Sequence, residues 1–158
     1  MQSDFLKVEK LTKKFGEFTA VNNVSFSVSK GEAFALLGES GCGKTTLLRC
    51  LAGLETPDSG SIKVAEATFF QDKSLIPVNQ RNIGLVFQDY AVFPHKSVTE
   101  NITFGVRDKS AKNVKLKQMM DLFHLNDQAG KMPDQLSGGQ LQRVAIARTL
   151  AASPSLVL

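Results

Sequence analysis

Alternation opens the chain. "LKVEKLTKKF" (residues 6–15) and "VNNVSFSVS" (21–29) mix polar and apolar positions with the period of a strand that buries one face. The second run is closed by Lys30-Gly31, and together they predict two half-buried strands. "AFALL" (33–37) breaks the pattern, because consecutive apolar residues predict a strand covered on both faces, as in a parallel sheet. A glycine-rich turn follows, then the helical stretch "KTTLLRCLAG", ending at Gly53, and "TPDSGSIKV", a turn leading into another strand. A middle zone, about Ala65 to Gln88, finishes in a second buried-strand pattern, "NIGLVFQ". From Pro94 to Ala152 the texture turns helical, with starts predicted at Ser97 or Thr99, near Ser110 and at Ser137. The closing "SLVL" predicts the opening of one more apolar strand.

These elements fill 158 residues, 42% apolar and 22% charged, which suits one α/β domain with its own core. No apolar run approaches the roughly 20 residues needed to cross a bilayer, and "MQSDFLKVEK" lacks the layout of a signal peptide. A cytosolic chain is expected. Nineteen Lys and Arg against fifteen Asp and Glu leave +4, too small an excess to indicate a nucleic-acid partner without a concentrated patch. Lys109, Lys112, Lys115 and Lys117 interleave with Val114, Leu116 and Met119, the pattern of an amphipathic helix with a solvated face. Cys42 and Cys50 show neither a paired framework nor metal-ligand spacing, and are expected to be reduced, helix-packing residues.

The first chemistry lies in "GESGCGKT", Gly38 to Thr45, between an apolar strand pattern and a helix pattern. In that setting the backbone N–H groups of the loop and helix start converge on one spot and carry partial positive charge, which suits a phosphate. Gly38, Gly41 and Gly43 permit unusual backbone angles and close approach. Lys44 reaches the β- and γ-phosphates, the Thr45 hydroxyl can ligate Mg²⁺, and Thr46 is a candidate for a further phosphate contact. A nucleoside triphosphate with Mg²⁺ is the expected ligand, which by itself fits kinases, GTPases, helicases and transport ATPases alike.

A second glycine-rich helix start is "LSGGQ", Leu136 to Gln140, before "LQRVAIARTLAA". Ser137 and Gln140 form a capping box. Gly138 and Gly139 remain unexplained by it, since glycine in a helix costs roughly 1 kcal/mol relative to alanine. Baring the backbone there makes sense if Ser137 and the neighbouring amides touch another phosphate.

"GESGCGKTT", then Gln88 after "IGLVF", then "LSGGQLQRVAIARTL" resemble, in order and spacing, the ATP-binding cassette proteins over essentially the whole chain. The resemblance implies an α/β fold: a P-loop NTPase core with a parallel sheet, an N-terminal antiparallel β subdomain and an α-helical signature subdomain. The implied division is 1–93 for the core and β subdomain, 94–152 for the helical subdomain and 153–158 for the start of a core strand. In that family two cassettes pair head to tail around each ATP. Leu136, Ser137, Gly138, Gly139 and Gln140 would then face the γ-phosphate held by the partner, whose own phosphate loop supplies Gly38, Glu39, Ser40, Gly41, Cys42, Gly43, Lys44, Thr45 and Thr46.

By the same resemblance Phe15 stacks on adenine, with a strand-end core aromatic as the equal alternative, and Val21 packs beside the base. Gln88 would contact Mg²⁺ and the attacking water, at the carboxyl end of a strand where open α/β sheets bind ligands. Lys44 and Gln88 are therefore the expected catalytic side chains.

"FQDYAVFPHKSVTENITFGV" resembles the importer branch serving solute-binding proteins, and "PVNQRNIGLVFQ", with Pro77, Val78 and Arg81, leans towards its ferric-iron members. A motor subunit on the cytoplasmic face of the membrane is implied, working as a dimer under transmembrane permease subunits and, through them, with a solute-binding protein. Tyr90, Val92, Phe93, Pro94 and His95 are the expected permease contacts, although Lys96-Ser97 departs from the apolar residue and threonine common there. Family members continue past "SLVL" into an aspartate that holds Mg²⁺ and a glutamate that polarises water. Asp89, Asp134, His95 and His124 lie in the wrong motifs to replace these groups or the family's later histidine. The expectation is thus a fragment of an ATPase, poorly stable and nearly inactive alone. The competing readings are a catalytically silent nucleotide-binding module and a non-transport cassette protein.

Overall fold

A computed structural model describes residues 4–72 and 74–158. The first three residues of the N-terminal stretch read above lie outside the described residues. The chain divides into two compact units, Met1–Arg81 and Asn82–Leu158.

The first unit is built on a five-stranded antiparallel sheet in the order β2-β1-β3-β4-β5. β1 (Asp4–Phe15) and β2 (Phe18–Ser29) form a hairpin around Gly16-Glu17; β3 (Ser59–Val64), β4 (Ala67–Gln71) and β5 (Ser74–Leu75) complete it. Leu6, Val8 and Leu11 are all buried although their spacing changes from two to three. Lys10, with φ of 49°, marks the irregularity between Val8 and Leu11 and donates its N–H to Ser25 Oγ at 2.8 Å. This extra residue returns Leu11 to the buried face, which strict alternation would have denied it.

Helix α1 (Lys44–Ala52) buries Leu47, Cys50 and Leu51 and ends at Gly53, whose φ of 83° lets its N–H bond back to Cys50 O. Behind that end sits Arg81, 1% exposed. Its guanidinium donates to the carbonyls of Cys50 (2.9 Å), Leu51 (2.7 Å), Ile76 (2.8 Å) and Phe69 (3.3 Å) and lies over the Phe69 ring. The helix's last carbonyls are thus satisfied by a cation, as the helix dipole favours. A Cβ on Gly53 would come within 2.6 Å of this guanidinium, so Arg81 also depends on that glycine.

The predicted buried strand "AFALL" is different in the structure. Residues 33–37 form no strand; Leu37 is 91% exposed, and Phe34 lies flat against Phe26 of β2, with ring centroids 5.1 Å apart. A strand exists only through ladder bonds to neighbours, and no described strand pairs with these residues.

In the second unit, β6 (Ile83–Gly84) pairs in parallel with β7 (Leu156–Val157), and bonds from Val86 N to Leu158 O and from Leu158 N to Gly84 O extend the pairing. "NIGLVFQ" is therefore a strand only at its start; Phe87 and Gln88 are exposed beyond it. Helices α2 (Val98–Thr103), α3 (Lys112–Leu122) and α4 (Gly138–Ala151) pack around Val98, Ile102, Met120, Leu125, Val144, Ala147 and Ala151. Ser97 caps α2 and Ser137 caps α4, as predicted, each in a reciprocal capping box. The start expected near Ser110 is also found: α3 follows Ala111, without a side-chain cap, and just before it the Ser110 N–H and hydroxyl both donate to Asp108 Oδ1. On α3, Leu116 and Met119 pack on the core while Val114 stays exposed.

Candidate functional site

Residues 38–43 form an exposed, irregular loop that delivers the chain into α1. Gly43 is the N-cap of that helix, with φ of 95°, no side-chain cap and no acidic residue in the first turn. The helix's leading N–H groups therefore keep their donor capacity for an anion, with partial positive charge behind them. Lys44 Nζ donates to the carbonyls of Gly38 (2.8 Å) and Glu39 (2.7 Å) and lies 3.5 Å from Cys42 Sγ. Its ammonium is thereby folded across the loop. Thr45 is exposed in the first turn and Thr46 is half-buried, while Glu39, Ser40, Gly41 and Cys42 face solvent. Loop amides, helix terminus, ammonium and hydroxyl are all donors or hard-oxygen groups, a set that fits a triphosphate and an accompanying Mg²⁺.

The expected packing cysteines split. Cys50 is buried in α1 and burial pushes its thiol up to about 11, whereas Cys42 is an exposed loop residue. Gly43 has a steric task besides its backbone angle. A Cβ there would lie 2.0 Å from Ala20 O and 3.7 Å from Val21 Cγ2, so β2 presses directly on the end of the loop. Val21 is thus beside the glycine-rich loop, though buried. Phe15 ends β1 and is 46% exposed, so it is not a core aromatic. The Lys13 ammonium, held at 2.9 Å by Thr56 O, sits 4.9 Å from its ring centroid. Phe18, 62% exposed, stands opposite Phe15 across the hairpin turn and was not singled out by pattern.

In the second unit, Gln88 is exposed in a turn closed by Tyr90 N–H to Phe87 O. Tyr90, Val92 and Phe93 are half-buried, Val92 against the helical core, and Pro94 and His95 are exposed. The Phe93 ring lies 4.4 Å from Phe104, itself 58% exposed. At the start of α4 the Ser137 N–H donates to Gln140 Oε1 at 2.8 Å, and Gln140 N–H donates back to Ser137 Oγ at 3.3 Å. Leu136 anchors this turn on the helical core. Gly138 and Gly139 are exposed, and a Cβ on either meets nothing within 4 Å among the described residues.

Sequence reasoning missed Asn101 and Arg148. Asn101 is fully buried and Arg148 interrupts the apolar stripe Val144, Ala147, Ala151 of α4. A polar group on a buried stripe is the signal that would have found them.

The chain is 49% identical, over 154 residues, to the spermidine/putrescine import ATP-binding protein PotA of Protochlamydia amoebophila, covering 95% of this chain and 40% of that protein. It is 46% identical, over 159 residues, to the sulfate/thiosulfate import ATP-binding protein CysA 2 of Chromobacterium violaceum, covering 99% and 42%. The chain thus spans less than half the length of these curated relatives. The fold superimposes with a TM-score of 0.84, at 28% identity, on cbiO1 from Clostridium perfringens, part of the ABC transporter complex cbiONQ, covering 98% of this chain and 64% of that one. The model of the ABC transporter family matches residues 21–158, and the chain belongs to that family.

Proposed function

We propose that this chain is the nucleotide-binding part of the ATPase motor of an importer. In this reading ATP binds with its phosphates on residues 38–46 and its adenine beside Phe15 and Val21. Ser137, Gly138, Gly139 and Gln140 meet the γ-phosphate of an ATP held by a second subunit. The observation that carries this reading is the start of α4: two exposed glycines that the chain's own packing does not require. Without Cβ atoms the helix terminus admits close approach by an anion from outside, and Ser137 Oγ, already accepting from Gln140, still has a proton to donate.

The Thr45 hydroxyl would hold the Mg²⁺ that accompanies the nucleotide, which would neutralise phosphate charge. Lys44 would exchange its loop carbonyls for phosphate oxygens. Tyr90, Val92, Phe93, Pro94 and His95 form the surface for a membrane-embedded permease, placing the subunit at the cytoplasmic face. Both relatives described above are import proteins by name, one for spermidine/putrescine and one for sulfate/thiosulfate. The ferric-iron expectation has no counterpart in them, and the proposed solute is accordingly a polyamine or a sulfate-like oxyanion.

Binding of a fluorescent ATP analogue, followed by sedimentation with and without ATP, tests the paired arrangement. Lys44→Ala weakens nucleotide binding at least tenfold, the loss of a charge-assisted contact. Gly139→Glu abolishes ATP-driven association while leaving the analogue's affinity within about twofold, since it adds a carboxylate only at the outer surface of α4. Undiminished association of Gly139→Glu defeats the reading.

A further inference from the structure

Residues 85–97 contain neither helix nor strand, and two side chains give the segment its shape. Arg148, in the last turn of α4, donates from Nη1 to Ala91 O at 2.8 Å and from Nη2 to Tyr90 O at 3.2 Å. Its guanidinium carbon also lies 5.0 Å from the Phe93 ring centroid. Tyr90 and Ala91 hold φ values of 64° and 44°, a region non-glycine residues avoid unless their surroundings enforce it. Asn101 takes the other end: it accepts from Phe93 N–H at 2.9 Å and donates to the carbonyls of Phe93, Lys96 and Ser97. Asn101 belongs to short α2; Arg148 belongs to the helix that begins at Ser137.

Arginine is suited to this place. A planar fork can serve two successive carbonyls while its face lies on an aromatic ring, and a lysine ammonium cannot reproduce all three contacts. Burial lowers the Arg148 pKa, but a guanidinium stays charged in proteins, so the contacts persist across the physiological range.

We propose that Arg148 is a positioning residue that latches residues 90–93 to the signature helix, so that this loop follows any displacement of α4. The inference deepens the proposed function, resting on its assignment of Tyr90 to His95 as the permease surface. Through Arg148 a rigid helix joins the residues offered to a partner's ATP and the residues offered to the membrane subunit.

Hydrogen exchange on the full chain tests the latch with two variants. In Arg148→Met, amides of residues 88–96 exchange on the order of tenfold faster, as expected for losing charged hydrogen bonds. Arg148→Lys falls between that variant and the parent, while amides of residues 144–147 and the ATP affinity stay within about twofold. Unchanged loop exchange in Arg148→Met overturns the proposal, and so does equal loosening of α4, which marks a merely structural role. With the membrane subunits present, transport-coupled turnover falls about tenfold in Arg148→Met at unchanged KM for ATP, and Arg148→Lys restores part of it. An equal fall in the ATP affinity of the chain without the membrane subunits also overturns it. A loosened loop with coupled turnover untouched keeps the latch and removes the docking assignment instead.

Discussion

At the start of α1, a Cβ on Gly43 would lie 2.0 Å from the Ala20 carbonyl oxygen; at the start of α4, a Cβ on Gly138 or Gly139 meets nothing within 4 Å among the described residues. The same residue type answers to different constraints. Gly43 also has φ of 95°, so both backbone conformation and the press of β2 demand it. Gly138 and Gly139 show no positive φ, and among the described residues nothing in the packing explains their small size. The capping differs in parallel: α1 has no side-chain cap, whereas Ser137 and Gln140 already close α4. A glycine required by its own fold marks how a loop is built. A glycine the fold does not require points to something outside it.

This contrast can be broken most forcefully at Gly43. Gly43→Ala should cost on the order of 3 kcal/mol or more in urea unfolding, because backbone must move and φ is strained. A variant as stable as the parent would erase the difference between the two helix starts. Arg81→Met should cost about 3 kcal/mol, leaving the carbonyls of Leu51 and Ile76 without their donor and that of Cys50 with the Gly53 N–H alone. The thermal midpoint is the measurement, and a small shift would show those carbonyls satisfied in another way. Ser137→Ala should cost about 1 kcal/mol through the lost cap, seen as faster exchange at Gln140.

Gly139→Ala should leave stability within about 0.5 kcal/mol, on the stabilising side, since alanine is the better helix former and space is open. Clear destabilisation would mean that packing does constrain this glycine. The smallest effect separates the two capping boxes. Glu100 accepts from Ser97 N–H and Oγ, which hold its carboxyl below its ordinary 4.5. A depressed acid contributes stability above its unfolded pKa and loses it as pH falls through the folded one. Acidification below about 4.5 should therefore fray α2 while the neutral Gln140 cap of α4 holds, and amide exchange at Glu100 and Gln140 compares them.

Much of the site was legible because it is local. The helix start at Lys44 and the Ser137–Gln140 cap involve only near neighbours along the chain, and both form as read, whereas the strand expected before Gly38 does not. Phe15 was undecided between core and surface, since alternation fixes a face but not what covers it. "AFALL" was misread for the same reason: its apolar run specifies a preference for burial, not the neighbours that would provide it.

The sequence by itself determined the first two strands, the capped starts of α2 and α4 and the two glycine-rich turns, through side-chain period, cap chemistry and backbone freedom that act over a few residues. Tertiary structure alone decided that Arg81 closes α1, that Arg148 grips the carbonyls of Tyr90 and Ala91, and that Gly43 lies under Ala20. Every one of those contacts falls on a main-chain carbonyl. All residues carry that group alike, so its position, and therefore its partner, is set only when the chain has folded.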